Sequence, residues 1–89
     1  VNLSSDQLLE AYELLWNNRT LDRSLPAEES TVSAIKRELQ DELTHPRVRV
    51  KPDQKFYQAV ERIVYSSLSR DEKIGLIQLY TAIFHEITD

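Results

Sequence analysis

Residues 69–89 read SRDEKIGLIQLYTAIFHEITD, and this stretch decides the fold. Ile74, Leu76, Ile77, Leu79, Tyr80, Ile83, Phe84 and Ile87 recur at helical intervals and cover more than half of a helical circumference. A surface helix needs a single apolar stripe facing the core. Here the polar strip is narrow, running through Asp71, Gly75, Gln78 and His85, which predicts a helix near 70–87 with neighbours on several sides. Ser69 and Glu72 have the spacing of a capping box at its entry, the serine hydroxyl and the carboxylate each serving the other's backbone N–H.

Working back from that helix, Phe56, Val60, Ile63 and Val64 mark one face of a third helix near 54–67, with Leu68 near its end and Asp53 as its cap. So few residues separate it from the last helix that the two must fold back as an antiparallel hairpin. A second helix is predicted near 26–44. Pro26 suits a first helical position, Glu28 and Glu29 meet the positive end of the helix dipole, and Val32, Ile35, Leu39 and Leu43 form a narrow stripe. Its wet back carries Lys36, Arg37, Gln40 and Asp41, and His45 before Pro46 ends it. The first helix, near 5–17, opens on a Ser4/Gln7 capping box with a Leu3/Leu8 staple and carries Leu8, Ala11, Tyr12, Leu15 and Trp16. Leu21 and Leu25, in the connection after it, are predicted to tuck onto the bundle. The expectation is one all-α domain over residues 1–89, a small antiparallel four-helix bundle with the last helix most buried.

Composition sets limits on function. Hydrophobic residues at 40% and charged residues at 29% describe a globular chain and not a disordered one. No apolar run approaches the ~20 residues needed to span a bilayer, and the first residues lack the basic and apolar regions of a signal peptide. The expected setting is cytoplasmic and away from membranes, with removal of a segment before Val1 left open. The net charge is −4, which disfavours nucleic-acid binding by the domain as a whole. Charge is segmented, however. Residues 1–44 hold four basic and nine acidic side chains, residues 45–70 six and two, and residues 71–89 one and four. An acidic body thus carries a basic waist.

Motifs that would carry catalysis are missing. Absence of cysteine excludes disulfides and thiolate chemistry, and the only glycine, Gly75, lies inside a predicted helix, so no phosphate-cradling loop exists. The serines fall in no nucleophile motif. His85, Glu86 and Asp89 fall short of the three or four convergent ligands that zinc requires, and His45 reads as a helix-end residue. No catalytic residue, metal or cofactor is therefore assigned. Gly75 costs about 1 kcal/mol relative to alanine in a helix interior. Either a close helix crossing or an indifferent position one turn past the cap accounts for it.

Two surfaces remain as candidates. Tyr57, Glu61 and Tyr65, at i, i+4 and i+8, form an aromatic ridge with a carboxylate at its centre, to which Trp16 is added as a further aromatic. Aromatic side chains bury much area with few rotatable bonds and dominate interfaces, although in a small bundle they equally serve as core. The other surface is basic. RVRVK at residues 47–51 alternates in period two and reads as an extended connection, with Val48 and Val50 inward and Arg47, Arg49 and Lys51 in water. Together with Lys55, and with Arg62 and Arg70 as further candidates nearby, these form an anion-binding candidate whose bland alternative is neutralisation of the chain's own acidic helices. The sequence points to a non-enzymatic protein-binding module, a small acidic adaptor, regulator or immunity-type inhibitor with a basic partner surface or a second copy of itself as partner. The alternative is a nucleic-acid-binding regulator acting through residues 45–55.

Overall fold

The computed structural model describes residues 3–16, 24–41, 47 and 50–88. Four helices make up the fold: α1 (Ser5–Leu15), α2 (Ala27–Leu39), α3 (Pro52–Val64) and α4 (Arg70–Thr88). The described residues contain no strand. The architecture is the small all-α four-helix bundle expected from the periodicity.

Both capping boxes form as read. Gln7 N–H donates to the Ser4 hydroxyl at 3.2 Å while Ser4 N–H donates to the Gln7 amide oxygen at 2.9 Å. Ser69 and Glu72 repeat the exchange at the start of α4. The other two entries differ from expectation. Pro26 is the cap residue of α2 and not its first helical position. α3 begins at Pro52, capped by the backbone of Lys51, so Asp53 sits inside the first turn, where its charge meets the helix dipole. α2 ends at Leu39, before the predicted boundary. Asp41 follows in a left-handed conformation (φ 53°), which a short polar side chain tolerates.

The core is built from Leu9, Ala11, Tyr12 and Leu15 of α1, Ile35 and Leu39 of α2, Ala59 and Ile63 of α3, Leu68, and Leu76, Tyr80 and Ile83 of α4. α1 and α3 each pack against both α2 and α4, which form the inner pair. Antiparallel pairing is seen directly in α3 and α4: Phe56 stacks on Phe84 at 4.8 Å between ring centroids, and Lys73 donates to the Val64 carbonyl at the other end. The long connection lets α1 and α2 begin side by side, with Ser5 and Leu8 facing Glu28, Thr31 and Val32 across a small pocket.

Gly75 belongs to the interior and not to the polar strip of α4. A Cβ there would lie 2.9 Å from Leu3 Cδ1 and 3.0 Å from Leu8 Cδ2, so the staple of α1 rests directly on the glycine. This is the close crossing that accounts for a glycine in mid-helix. Leu25 is another correction, being largely exposed instead of plugging the bundle. Leu21, Leu43, His45, Val48, Arg49 and Asp89 lie outside the described residues.

Candidate partner-binding surface

α3 turns Ala59 and Ile63 into the core, and this fixes what its opposite face shows to water. Tyr57 is 66% exposed and Tyr65 83% exposed, so the aromatic ridge is surface and not core. Glu61 between them is exposed, and the Tyr57 hydroxyl donates to its Oε2 at 3.4 Å. Val64, expected on the buried face, is 47% exposed and extends the apolar strip. The covered side of α3 is narrower than the residue pattern suggested, because α2 and α4 supply most of its cover and α1 meets it near its end, at Arg62.

Trp16 does not join that ridge. It is half-buried at the end of α1, where its Nε1 donates to the Tyr80 hydroxyl at 3.4 Å and the Arg62 guanidinium lies 4.2 Å from its ring centroid. Arg62 Nε also donates to the Leu15 carbonyl at 3.1 Å. α1 has no basic residue in its last turn, so α3 supplies the cation that meets its carbonyl end. Between these two helix ends lies a groove of about 290 Å³ lined by Leu14, Leu15, Arg62, Tyr65, Ser66 and Ser67. Leu14, 65% exposed, stands on its far wall. Ridge and groove share Tyr65, making one continuous surface.

The basic waist is dispersed. Lys55 Nζ lies 3.7 Å from Asp41 Oδ1, and Asp41 Oδ2 accepts the Val50 N–H at 2.9 Å, so this cation is engaged by a carboxylate of the same chain. Arg47 and Lys51 are exposed. Arg62 is near the opposite end of α3, roughly 16 Å along the helix from Lys51 at a rise of about 1.5 Å per residue, and does not join them. Asp41 itself is buried, contrary to its expected place on the wet back of α2.

The polar heart of the molecule is a group that sequence reasoning missed. Glu38, buried in α2, accepts at Oε1 from the Tyr80 hydroxyl at 2.6 Å and the Tyr12 hydroxyl at 3.1 Å. Burial, with the Glu38 carboxylate and the Tyr12 hydroxyl beside it, pushes the Tyr80 phenol far above the usual tyrosine range. Among the described residues every buried side-chain nitrogen and oxygen has a partner. This chain of groups ties three helices together, and Trp16, which donates to Tyr80, carries it as far as the Arg62 guanidinium.

Glu86 pairs with Lys36 at 2.7 Å, while His85 is exposed and packs edge-on against Phe84. No three histidine, aspartate or glutamate side chains converge among the described residues. No helix among them is long and apolar enough to cross a membrane.

No solved structure matches the chain. The curated relative named Uncharacterized protein YoyC, from Bacillus subtilis (strain 168), is 40% identical over 75 residues, covering 84% of this chain and 79% of that protein. The YoyC family matches residues 3–89, and with nearly the whole bundle inside that match, the chain is a member of the YoyC family.

Proposed function

We propose that this chain is a cytoplasmic, non-enzymatic protein-binding module, an adaptor, regulator or inhibitor, whose contact face is the exposed side of α3. The observation that carries this reading is the exposure of Tyr57 and Tyr65 on either side of Glu61, with Val64 beside them. Large aromatics left in water on one helix face are the residue types that anchor interfaces. A carboxylate at the centre of such a ridge favours a partner that presents lysine or arginine there, held by charge and by the tyrosine faces. The net charge of −4 steers the same kind of partner. Self-association through the ridge is disfavoured: Tyr57 and Tyr65 are symmetric about Glu61, so a two-fold axis at its centre would set two Glu61 carboxylates against each other.

Nucleic-acid binding through residues 45–55 has less support, because Lys55 is engaged by Asp41. The test of the leading reading is charge reversal. Glu61→Lys should release the partner captured by the wild-type chain from its native cells and leave the helical content unchanged. Equal capture of the same partner by both proteins would refute the assignment of the ridge.

A further inference from the structure

The groove beside the ridge carries an inference that deepens the partner-binding reading and rests on it. The Arg62 guanidinium is held twice, through Nε on the Leu15 carbonyl and through its face on Trp16. Neither contact uses its two Nη groups, which meet no acceptor among the described residues. A guanidinium fixed in this way presents a planar, two-toothed donor edge suited to a carboxylate. Next to it, Leu14 and Tyr65 supply apolar walls, and Ser67 stands exposed at the rim. Ser66 is spent on the Ile63 carbonyl at 2.7 Å.

Size and charge narrow the occupant. At about 290 Å³ the groove sits at the lower edge of the roughly 300–1,000 Å³ of ordinary ligand pockets, a size that suits a single residue better than a large cofactor. The carbonyl end of α1 beside Arg62 favours the cation but opposes a doubly charged anion such as phosphate. An internal aspartate or glutamate offers a carboxylate with no apolar branch. A chain-terminal leucine or phenylalanine offers both groups on one residue. We propose that the groove captures the C-terminal residue of a partner polypeptide, its apolar side chain between Leu14 and Tyr65 and its main-chain carboxylate on the Arg62 Nη groups.

Trp16 is the only tryptophan and lies under Arg62, so its emission reports on the site. The probe is the peptide acetyl-AAAAL with a free C-terminal carboxylate, titrated at low salt beside the same peptide amidated. A saturable change in emission is expected for the acid, with the amide binding about tenfold or more weakly because it loses a charged hydrogen-bond pair. Leu14→Glu should abolish the change with an unaltered circular dichroism spectrum. Arg62→Lys, which keeps the charge and loses the fork, should weaken binding about tenfold. Acid and amide binding alike would overturn the proposal, as would the absence of any change in both Trp16 emission and the Ser66 and Ser67 amide resonances. Glu61→Lys and Tyr57→Ala lie outside the groove and should leave peptide binding intact. Peptide binding that persists while those changes fail to release the basic partner would remove the ridge reading alone; a ridge that holds its partner beside a groove blind to the carboxylate would remove the groove alone.

Discussion

Tyr80 donates its hydroxyl to Glu38 at 2.6 Å, and this one bond joins the two inner helices through a buried carboxylate. The Tyr12 hydroxyl shares the same oxygen, so α1 is fastened to the pair at the same point. Removing the acceptor takes this bond from two buried hydroxyls and opens a cavity, together costing about 2–4 kcal/mol. Glu38→Ala is therefore expected to lose about 2–4 kcal/mol in urea unfolding. Glu38→Gln retains a carbonyl oxygen at the same place and should lose clearly less.

The raised Tyr80 phenol gives a signed pH dependence. In the unfolded chain this group ionises near pH 10, whereas the folded state retains its proton. The stabilisation is thus fully present below about pH 10 and is lost as pH rises above it, by up to about 1.4 kcal/mol per pH unit. Tyr80→Phe should show a shallower decline of unfolding free energy between about pH 9 and about pH 11 than the wild type. Parallel declines would contradict the burial of the phenol.

Asp41 combines a left-handed backbone, a hydrogen bond to Val50 N–H and an ion pair with Lys55. Asp41→Ala loses all three and should cost about 2–3 kcal/mol. Asp41→Asn tolerates the backbone and keeps the acceptor for the Val50 N–H while losing the charge, so it should cost clearly less than Asp41→Ala. Thermal melts of the two variants separate these contributions.

Under the α1 staple, Gly75→Ala sets a gain in helix propensity of about 1 kcal/mol against the displacement of two leucine methyl tips. Those tips end flexible side chains, so the net change should remain within about 1 kcal/mol. Gly75→Leu cannot be absorbed in that way and should cost about 2–3 kcal/mol as α1 is pushed from α4.

Much of this architecture was legible because its signals are local. Capping boxes at Ser4 and Ser69 need four consecutive residues, and the apolar spacing of α4 needs only its own turns. The Glu38 network was not legible, because its partners lie 26 and 42 positions away and an acidic residue on a helix reads as solvated until a neighbour covers it. Asp41 was misread for the same reason. For the ridge, spacing named the residues but could not choose between core and surface. That choice depends on which flank of α3 the inner helices cover. Most of the apolar girth of α4 is taken up within the fold, since Tyr80 is buried and Phe84 stacks on Phe56, while Ile74 near its start is exposed. The groove was invisible for a further reason, as Arg62 was grouped with the basic waist by sequence proximity while its contacts are with α1.

The central claim is that the exposed face of α3 is spent on a partner and not on the fold, and the double variant Tyr57→Ala/Tyr65→Ala tests it most directly. Unfolding free energy and partner capture are measured on the same preparation. Stability should stay within about 0.5 kcal/mol of the wild type, as for surface substitutions generally, while the captured basic partner is lost. A loss of about 2 kcal/mol or more in stability, with the captured partner unchanged, would contradict the claim and return both tyrosines to the scaffold.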